Sequence, residues 1–252
     1  MRLASLGSGS RGNGTLVEAD DVCVLVDCGF SLARTIETLA ALGRAGEDLT
    51  AVLVTHEHGD HVQGVKALAR EFDLPVFMTA GTARATSAQS IERLEIVTPD
   101  RPWRLGPLEI LPVPVPHDAR EPVQFVVQDA TTRLGLLTDI GHVSTHVRNV
   151  YGRCDVLFVE ANHDRDLLWR GPYPVRVKER IAGILGHLSN DQTGALLRGL
   201  VGGPLRRLVV GHMSETNNRE QLVRETVDVP GLDAPTILAG QGEVMPWIDL
   251  DD

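Results

Sequence analysis

A chain of 252 residues with 42% apolar content can bury a substantial core, but only 4% is aromatic, so Leu, Val and Ala must fill it. A formal net charge of −10 excludes a protein that coats DNA through a broad basic face, although bound divalent cations would let an acidic enzyme handle phosphate esters. Nothing approaches the roughly 18 consecutive apolar residues of a membrane span. No long apolar leader-like run precedes Gly7, and Cys23, Cys28 and Cys154 lack CxxC spacing, so the expectation is a cytoplasmic protein with buried thiols and no membrane partner.

In chain order, Leu3–Leu6 predicts a short strand, broken by the Gly/Ser-rich stretch Gly7–Gly14, and Thr15–Glu18 with Val22–Val26 a hairpin. Ser31 caps an expected helix carrying Leu32, Ile36, Leu39 and Leu42 at helical spacing. Ala51–Thr55 predicts a strand; Val62, Val65, Leu68, Ala69 and Phe72 mark one amphipathic helix over about 61–72. Strands follow at Pro75–Met78, Leu94–Val97, Leu108–Val113, Gln124–Gln128, Arg133–Leu137, Val156–Val159 and Leu208–Val210, with a final one at Ile237–Ala239. Helices are expected over 80–90, 143–150, 175–186, 190–200 and 215–226. The two halves echo each other faintly, and no Pro/Gly/Ser-rich linker divides them, so a single mixed α/β domain over 1–252 is predicted.

The strand Ala51–Thr55 delivers His56-Glu57-His58-Gly59-Asp60-His61. In extended chain, residues two apart point to one side, so His56 and His58 can reach one cation, while Asp60 and His61 can face a second a few ångströms away. Two cations need more ligands than that cluster holds. His117, Asp139 and His212 each stand just past an apolar run, where sheet enzymes place their sites.

These motifs resemble the metallo-β-lactamase superfamily, and more narrowly its single-domain YycJ/WalJ-type hydrolases, proposed nucleases. The resemblance rests on Gly7-Ser8-Gly9-Ser10-Arg11-Gly12-Asn13, Val26-Asp27-Cys28-Gly29, Leu53–His61, Pro116-His117-Asp118, Thr138-Asp139, Gly186-His187-Leu188-Ser189-Asn190, and Gly211-His212-Met213-Ser214 with Asn217-Asn218. It implies a four-layer αββα sandwich with the site between the upper edges of two sheets. It further implies that His56, His58 and His117 hold one metal, that Asp60, His61 and His212 hold another, and that Asp139 bridges them. Asp27 would order the ligand loop. His187 is expected either at the substrate, as contact or proton donor, or on a metal. Imidazole at position 58, no Cys among the late motifs, and no room for an inserted domain between Asp139 and His187 favour a simple hydrolase.

Two cations, zinc or manganese, would share a hydroxide, lower its pKa and stabilise charge on a phosphoryl group. The expected activity is hydrolysis of phosphodiesters in nucleic acid, DNA foremost, from a 5′ end. Asp60 and His187 would be catalytic, loss of Asp60 abolishing turnover and loss of His187 slowing it, with Glu160 or His163 supporting His187. Ser10, Asn13, His187 and Asn190 are the expected substrate contacts, although Gly7–Gly14 reads equally as a tight turn or as support for the ligand loop. Residues 163–180 hold Arg165, Arg170, Arg176, Lys178 and Arg180 against three acids, with Trp169 and Tyr173 available to stack on bases. The same centre would also suit a small or cyclic phosphodiester, or a thioester as in glyoxalase II, or a metal-stabilised binding protein without turnover.

Overall fold

The computed structural model describes residues 1–86 and 88–251. Strands β1 (Arg2–Gly7), β2 (Gly14–Ala19) and β3 (Val22–Val26) form an antiparallel meander. The chain then alternates α1 (Leu32–Ala41), β4 (Ala51–Leu53), α2 (Gly59–Val62), α3 (Val65–Phe72), β5 (Val76–Thr79), α4 (Ala80–Ala85) and β6 (Leu94–Val97). From β3 to β6 the strands pair in parallel.

The second half repeats the scheme. Strands β7 (Trp103–Leu105), β8 (Leu108–Pro114), β9 (Val123–Gln128) and β10 (Arg133–Leu137) are antiparallel neighbours. Next come α5 (Thr145–Tyr151), β11 (Val156–Glu160), α6 (Arg165–Arg170), α7 (Val175–Ile181), α8 (Asn190–Arg198), β12 (Arg207–Gly211), α9 (Glu220–Val227) and β13 (Thr236–Leu238), again with parallel strands. The last strand, β14 (Met245–Asp249), returns to pair with β1, giving seven-stranded sheets of order β14-β1-β2-β3-β4-β5-β6 and β13-β12-β11-β10-β9-β8-β7. The faint echo between the halves is thus an echo of topology.

Three apolar layers hold the sandwich. Leu3, Val24, Leu53, Phe125, Leu134 and Phe158 pack between the sheets. Leu39, Leu68 and Ala83 bring α1, α3 and α4 onto the first sheet; Val147, Leu197 and Val223 bring α5, α8 and α9 onto the second. The result is the expected αββα arrangement, and it explains why β3 and β11 are buried along their whole length: helices cover one face and the opposing sheet the other. Ser31, Ser144 and Ser189 cap α1, α5 and α8 by accepting from backbone N–H groups in the first turn. Cys23, Cys28 and Cys154 are buried free thiols, and burial pushes them up to about 12, 11 and 12. No helix among the described residues is long and apolar enough to cross a membrane.

Several boundaries differ from expectation. The helix expected over 61–72 is two, α2 and α3, separated at Gln63-Gly64: Gly64 N donates to Cys28 O, and a side chain at 64 would collide with Phe30 O. The helix expected over 80–90 ends at Ala85, with a 3-10 turn at Ala88–Ser90, and residue 87 lies outside the described residues. The expected 175–186 helix stops at Ile181, and 215–226 begins only at Glu220. Strands β7 and β14 and helix α6 are additional, so β14, not Ile237–Ala239, is the last strand.

Candidate metal centre

All the ligand candidates leave strand ends on one edge of the sandwich. Beyond β4 the chain stays extended through Thr55 and His56, then His58 caps the single turn of α2, which carries Asp60 and His61. His117 follows β8, Asp139 follows β10 and His212 follows β12. Asp139 and His212 take left-handed backbone, φ 51 and 48, as does Asp27 at φ 62. Non-glycine residues adopt that region rarely, and such strain gathers where side chains must be aimed.

Each imidazole is oriented by what its outer nitrogen meets. Asp27 accepts from Thr55 N (2.9 Å), Thr55 Oγ1 (2.8 Å) and His61 Nδ1 (2.8 Å). Thr55 Oγ1 therefore accepts from His56 Nδ1 at 3.0 Å, and Gly186 O accepts from His117 Nδ1 at 3.1 Å. At His56 and His117 those bonds place the proton on the outer nitrogen and leave the inward-facing one free, the state a metal ligand requires. His56 Nε2 lies 2.9 Å from His58 Nδ1, which lies 3.3 Å from His117 Nε2. Tetrahedral ligation by imidazole places nitrogens about 3.3 Å apart, so the three fit one cation.

Beside them, Asp60 Oδ2 is 3.5 Å from His61 Nε2 and 4.0 Å from His212 Nε2. Asp139 joins the groups: Oδ2 lies 3.2 Å from His61 Nε2 and 3.1 Å from His212 Nδ1, while Oδ1 lies 3.9 Å from His117 Nε2. Yet among the described residues Asp139 Oδ2 and His212 Nδ1, though close, are buried and complete no hydrogen bond. Unpaired polar atoms of that kind are costly unless something else satisfies them, and a cation between them would. Three overlapping groups, His56 with His58 and His117, His56 with His61 and Asp139, and Asp139 with His187 and His212, bring ligand atoms close enough together to chelate divalent metals; Asp60 borders them, and His187 stands within the third.

The electrostatics agree. Burial foremost, reinforced by the neighbouring His61, holds His56 well below the usual imidazole range, and burial likewise lowers His117. At His61 burial opposes charge, but Asp139 and Asp27 outweigh it and push the ring well up. Asp139 shows the converse: burial would raise it, but His212 and His61 hold it well below the carboxylate range. Two buried carboxylates on one imidazole create a demand for positive charge at this point.

His187 borders a cavity of about 430 Å³ that opens onto both ligand groups. Its Nδ1 donates to Glu160 Oε2 at 3.0 Å, and Asp139 Oδ1 is 3.7 Å away. Burial opposes a charged ring here too, but Glu160 and then Asp139 push it up to about 9. Glu160 is itself fully buried, and its Oε1 accepts from Ile140 N (2.8 Å) and Leu188 N (3.2 Å), tying His187 to the Asp139 turn.

Other expected positions sort differently. Ser10 is exposed on the cavity rim, where its Oγ donates to Gln241 Oε1 at 3.2 Å. Asn13 is not on the cavity wall: it lies buried beneath the ligand loop, with Nδ2 3.1 Å from His61 Nε2 and its backbone N donating to Asp60 O at 2.8 Å. Asn190 is buried too, and its amide exchanges two 2.9 Å hydrogen bonds with Asn218. His163 is buried behind the site and its backbone bridges to Ser189. Of the basic segment, Tyr173 and Arg180 reach the cavity, whereas Lys178 turns inward to donate to Trp169 O.

Supporting residues to which the sequence reading gave no role are Thr55, Ser8, Asn162 and Gln124. Ser8 Oγ accepts from His212 N (2.9 Å), Asn162 Nδ2 donates to His212 O (3.0 Å), and Gln124 Oε1 accepts from Thr138 N (3.3 Å). Gln124 carried a signal: it is the polar residue in the otherwise apolar run Val123–Val127.

A model of the beta-lactamase superfamily domain matches residues 23–213, most of the chain. The chain belongs to the metallo-β-lactamase superfamily. Within this superfamily it is 33% identical over 233 residues to the exodeoxyribonuclease WalJ of Streptococcus pneumoniae, covering 90% of this chain and 87% of that one. It is 31% identical over 231 residues to the exodeoxyribonuclease YycJ of Bacillus anthracis, covering 90% and 88%. Among solved structures, the metallo-β-lactamase fold protein YhfI from Bacillus subtilis superposes with a TM-score of 0.75 at 17% identity, over 96% of this chain and 98% of that one, which speaks to fold alone.

Proposed function

We propose that this chain is a binuclear metal-dependent phosphodiesterase that degrades DNA, acting as an exonuclease from a 5′ end. The observation that carries the reading is the overlap of three possible ligand groups, two of them sharing Asp139, beside a cavity lined by His58, Asp60, Asp139, His187 and His212. The likeness to two proteins named exodeoxyribonucleases, over nine-tenths of the chain, supports the choice of substrate.

His56, His58 and His117 would hold one cation, Asp60, His61 and His212 the other, with Asp139 between them; zinc and manganese both suit this donor set. When bound, such cations activate water and stabilise the charge that grows on a phosphoryl oxygen. The protein does the rest. Asp27, through Thr55 and His61, fixes the ligand loop, and Asn13 holds it from below. Glu160 keeps a proton on His187 Nδ1, leaving Nε2 on the far edge of a ring that lines the cavity. From there the ring would pass a proton to the leaving oxygen, the role of a general acid held within reach of the reacting group.

The deciding experiment is a panel of duplex DNA, single-stranded DNA, RNA, bis(p-nitrophenyl) phosphate, a cyclic nucleotide and an acylthiol, assayed with zinc and with manganese. End-dependent cleavage of DNA, lost in Asp60→Ala, is the expected result. Turnover of the acylthiol with none of any phosphodiester would overturn the reading.

A further inference from the structure

The cavity wall beside the first ligand group is unlike its floor. It is built by Tyr173, Val177, Arg180 and Ile181 from α7 and the loop before it. Tyr173 and Val177 keep 36% and 38% of their surface in water. Arg180 is placed with care: Asp118 Oδ2 accepts from its Nε at 2.5 Å, and the same carboxylate's Oδ1 lies 3.7 Å from His58 Nε2 and 3.5 Å from His117 Nε2. One carboxylate thus separates the guanidinium from two imidazoles of the centre. Among the described residues, neither Nη of Arg180 meets a protein acceptor, so both remain for a ligand.

The opposite rim has the other sign. Arg11 is spent on an ion pair with Glu215. Beyond Met213 and Ser214 a second cavity, about 440 Å³, is lined by Glu215, Glu220 and Glu243 against Arg219. A polyanion seated on the centre is repelled there and drawn to the Arg180 side.

We propose that Arg180 and Tyr173 form the subsite for the nucleotide flanking the scissile phosphodiester, Arg180 taking its phosphate through both Nη groups and Tyr173 stacking on its base. The inference rests on the phosphodiesterase reading. A guanidinium fork matches a phosphate in two parallel hydrogen bonds, and an aromatic ring accepts any base, so the subsite grips a chain end without reading sequence.

The test compares a 5′-phosphorylated single-stranded oligothymidylate with bis(p-nitrophenyl) phosphate, which has no flanking nucleotide, in wild type, Arg180→Gln, Tyr173→Ala and Tyr173→Phe, with metal content measured alongside. Arg180→Gln should raise KM for the oligonucleotide about ten- to a hundredfold. Its loss on the small ester should be at least tenfold smaller. The dependence of log affinity on log salt should fall by about 0.7, one single-strand phosphate contact. Tyr173→Ala should cost about tenfold or more on the oligonucleotide, and Tyr173→Phe, which keeps the ring, should restore it. Equal losses on both substrates, or lost metal in Arg180→Gln, would show that Arg180 merely steadies Asp118 and overturn the subsite. Cleavage of the small ester by wild type with an unimpaired oligonucleotide reaction in both variants would overturn the subsite alone. No cleavage of either by wild type would overturn the underlying reading and the subsite with it.

Discussion

Asp27 and Asp139 occupy the same place in the two halves of the molecule. Each stands just past the strand, β3 or β10, at which its sheet changes from antiparallel to parallel pairing, and each has left-handed backbone. Their side chains have diverged. Asp139 presents its carboxylate to the ligand nitrogens, whereas Asp27 stands behind His61 and spends both oxygens on Thr55 and that imidazole.

Replacing Asp27 should therefore damage the site without removing a ligand. Asp27→Ala frees the His61 ring and Thr55, and metal affinity is expected to fall about ten- to a hundredfold. Metal titration by calorimetry, beside circular dichroism to show retained fold, checks this.

Gly29 has a similar leverage through the backbone. Its amide donates to Asn13 O at 2.9 Å, and a Cβ there would run into the backbone carbonyl of Asp60 and crowd Asn13 N. Gly29→Ala must displace the turn that carries Asp60 and His61, at a cost of about 1–3 kcal/mol. The expected outcome is a lowered denaturation midpoint together with loss of metal, measured by chemical unfolding and by metal analysis of the purified variant.

Chelation should weaken the fold and leave it standing. The ligands sit on loops and on the single turn of α2, outside the three apolar layers, so the sheets survive without metal. Binding to the folded state alone adds about 2.7 kcal/mol at a hundredfold excess over Kd. For a chain of this size that corresponds to roughly 5–10 °C. Thermal unfolding with and without a chelator should show such a drop in Tm, with far-UV circular dichroism unchanged below the transition.

The His187–Glu160 pair predicts a pH dependence of the chelated protein. His187 is raised from 6.5 to about 9, so the stability this shift contributes is full below pH 6.5 and fades as pH rises through about 9. The gap in Tm between wild type and His187→Gln should accordingly be largest in mild acid and close in alkali. A gap that widened with pH would contradict the pairing.

How far the sequence carried the fold depended on the range of the forces involved. The HxHxDH cluster was legible because its spacing acts locally. His117, Asp139 and His212 were legible as polar residues beyond apolar strands. The αββα layering came from resemblance, since periodicity alone gave only mixed α/β. What escaped was non-local. Strand β14 contains Pro246 and exposed residues, and it is a strand only because β1, at the other end of the sequence, offers an edge. Asn190 reads as a surface amide until Asn218 is brought against it. The break at Gly64 is set by Phe30 and Cys28, which no helical pattern over 61–72 contains.

The pairing of β14 with β1 also orders events in time. On the ribosome, β1 emerges long before its partner, and its outer edge waits unpaired until Met245–Asp249 has been made, after the entire second sheet. An open edge of that kind is a template for association with other chains. Synthesis that stalls before β14 should leave a sticky species, and chaperone capture should concentrate on nascent chains in which this strand has yet to emerge.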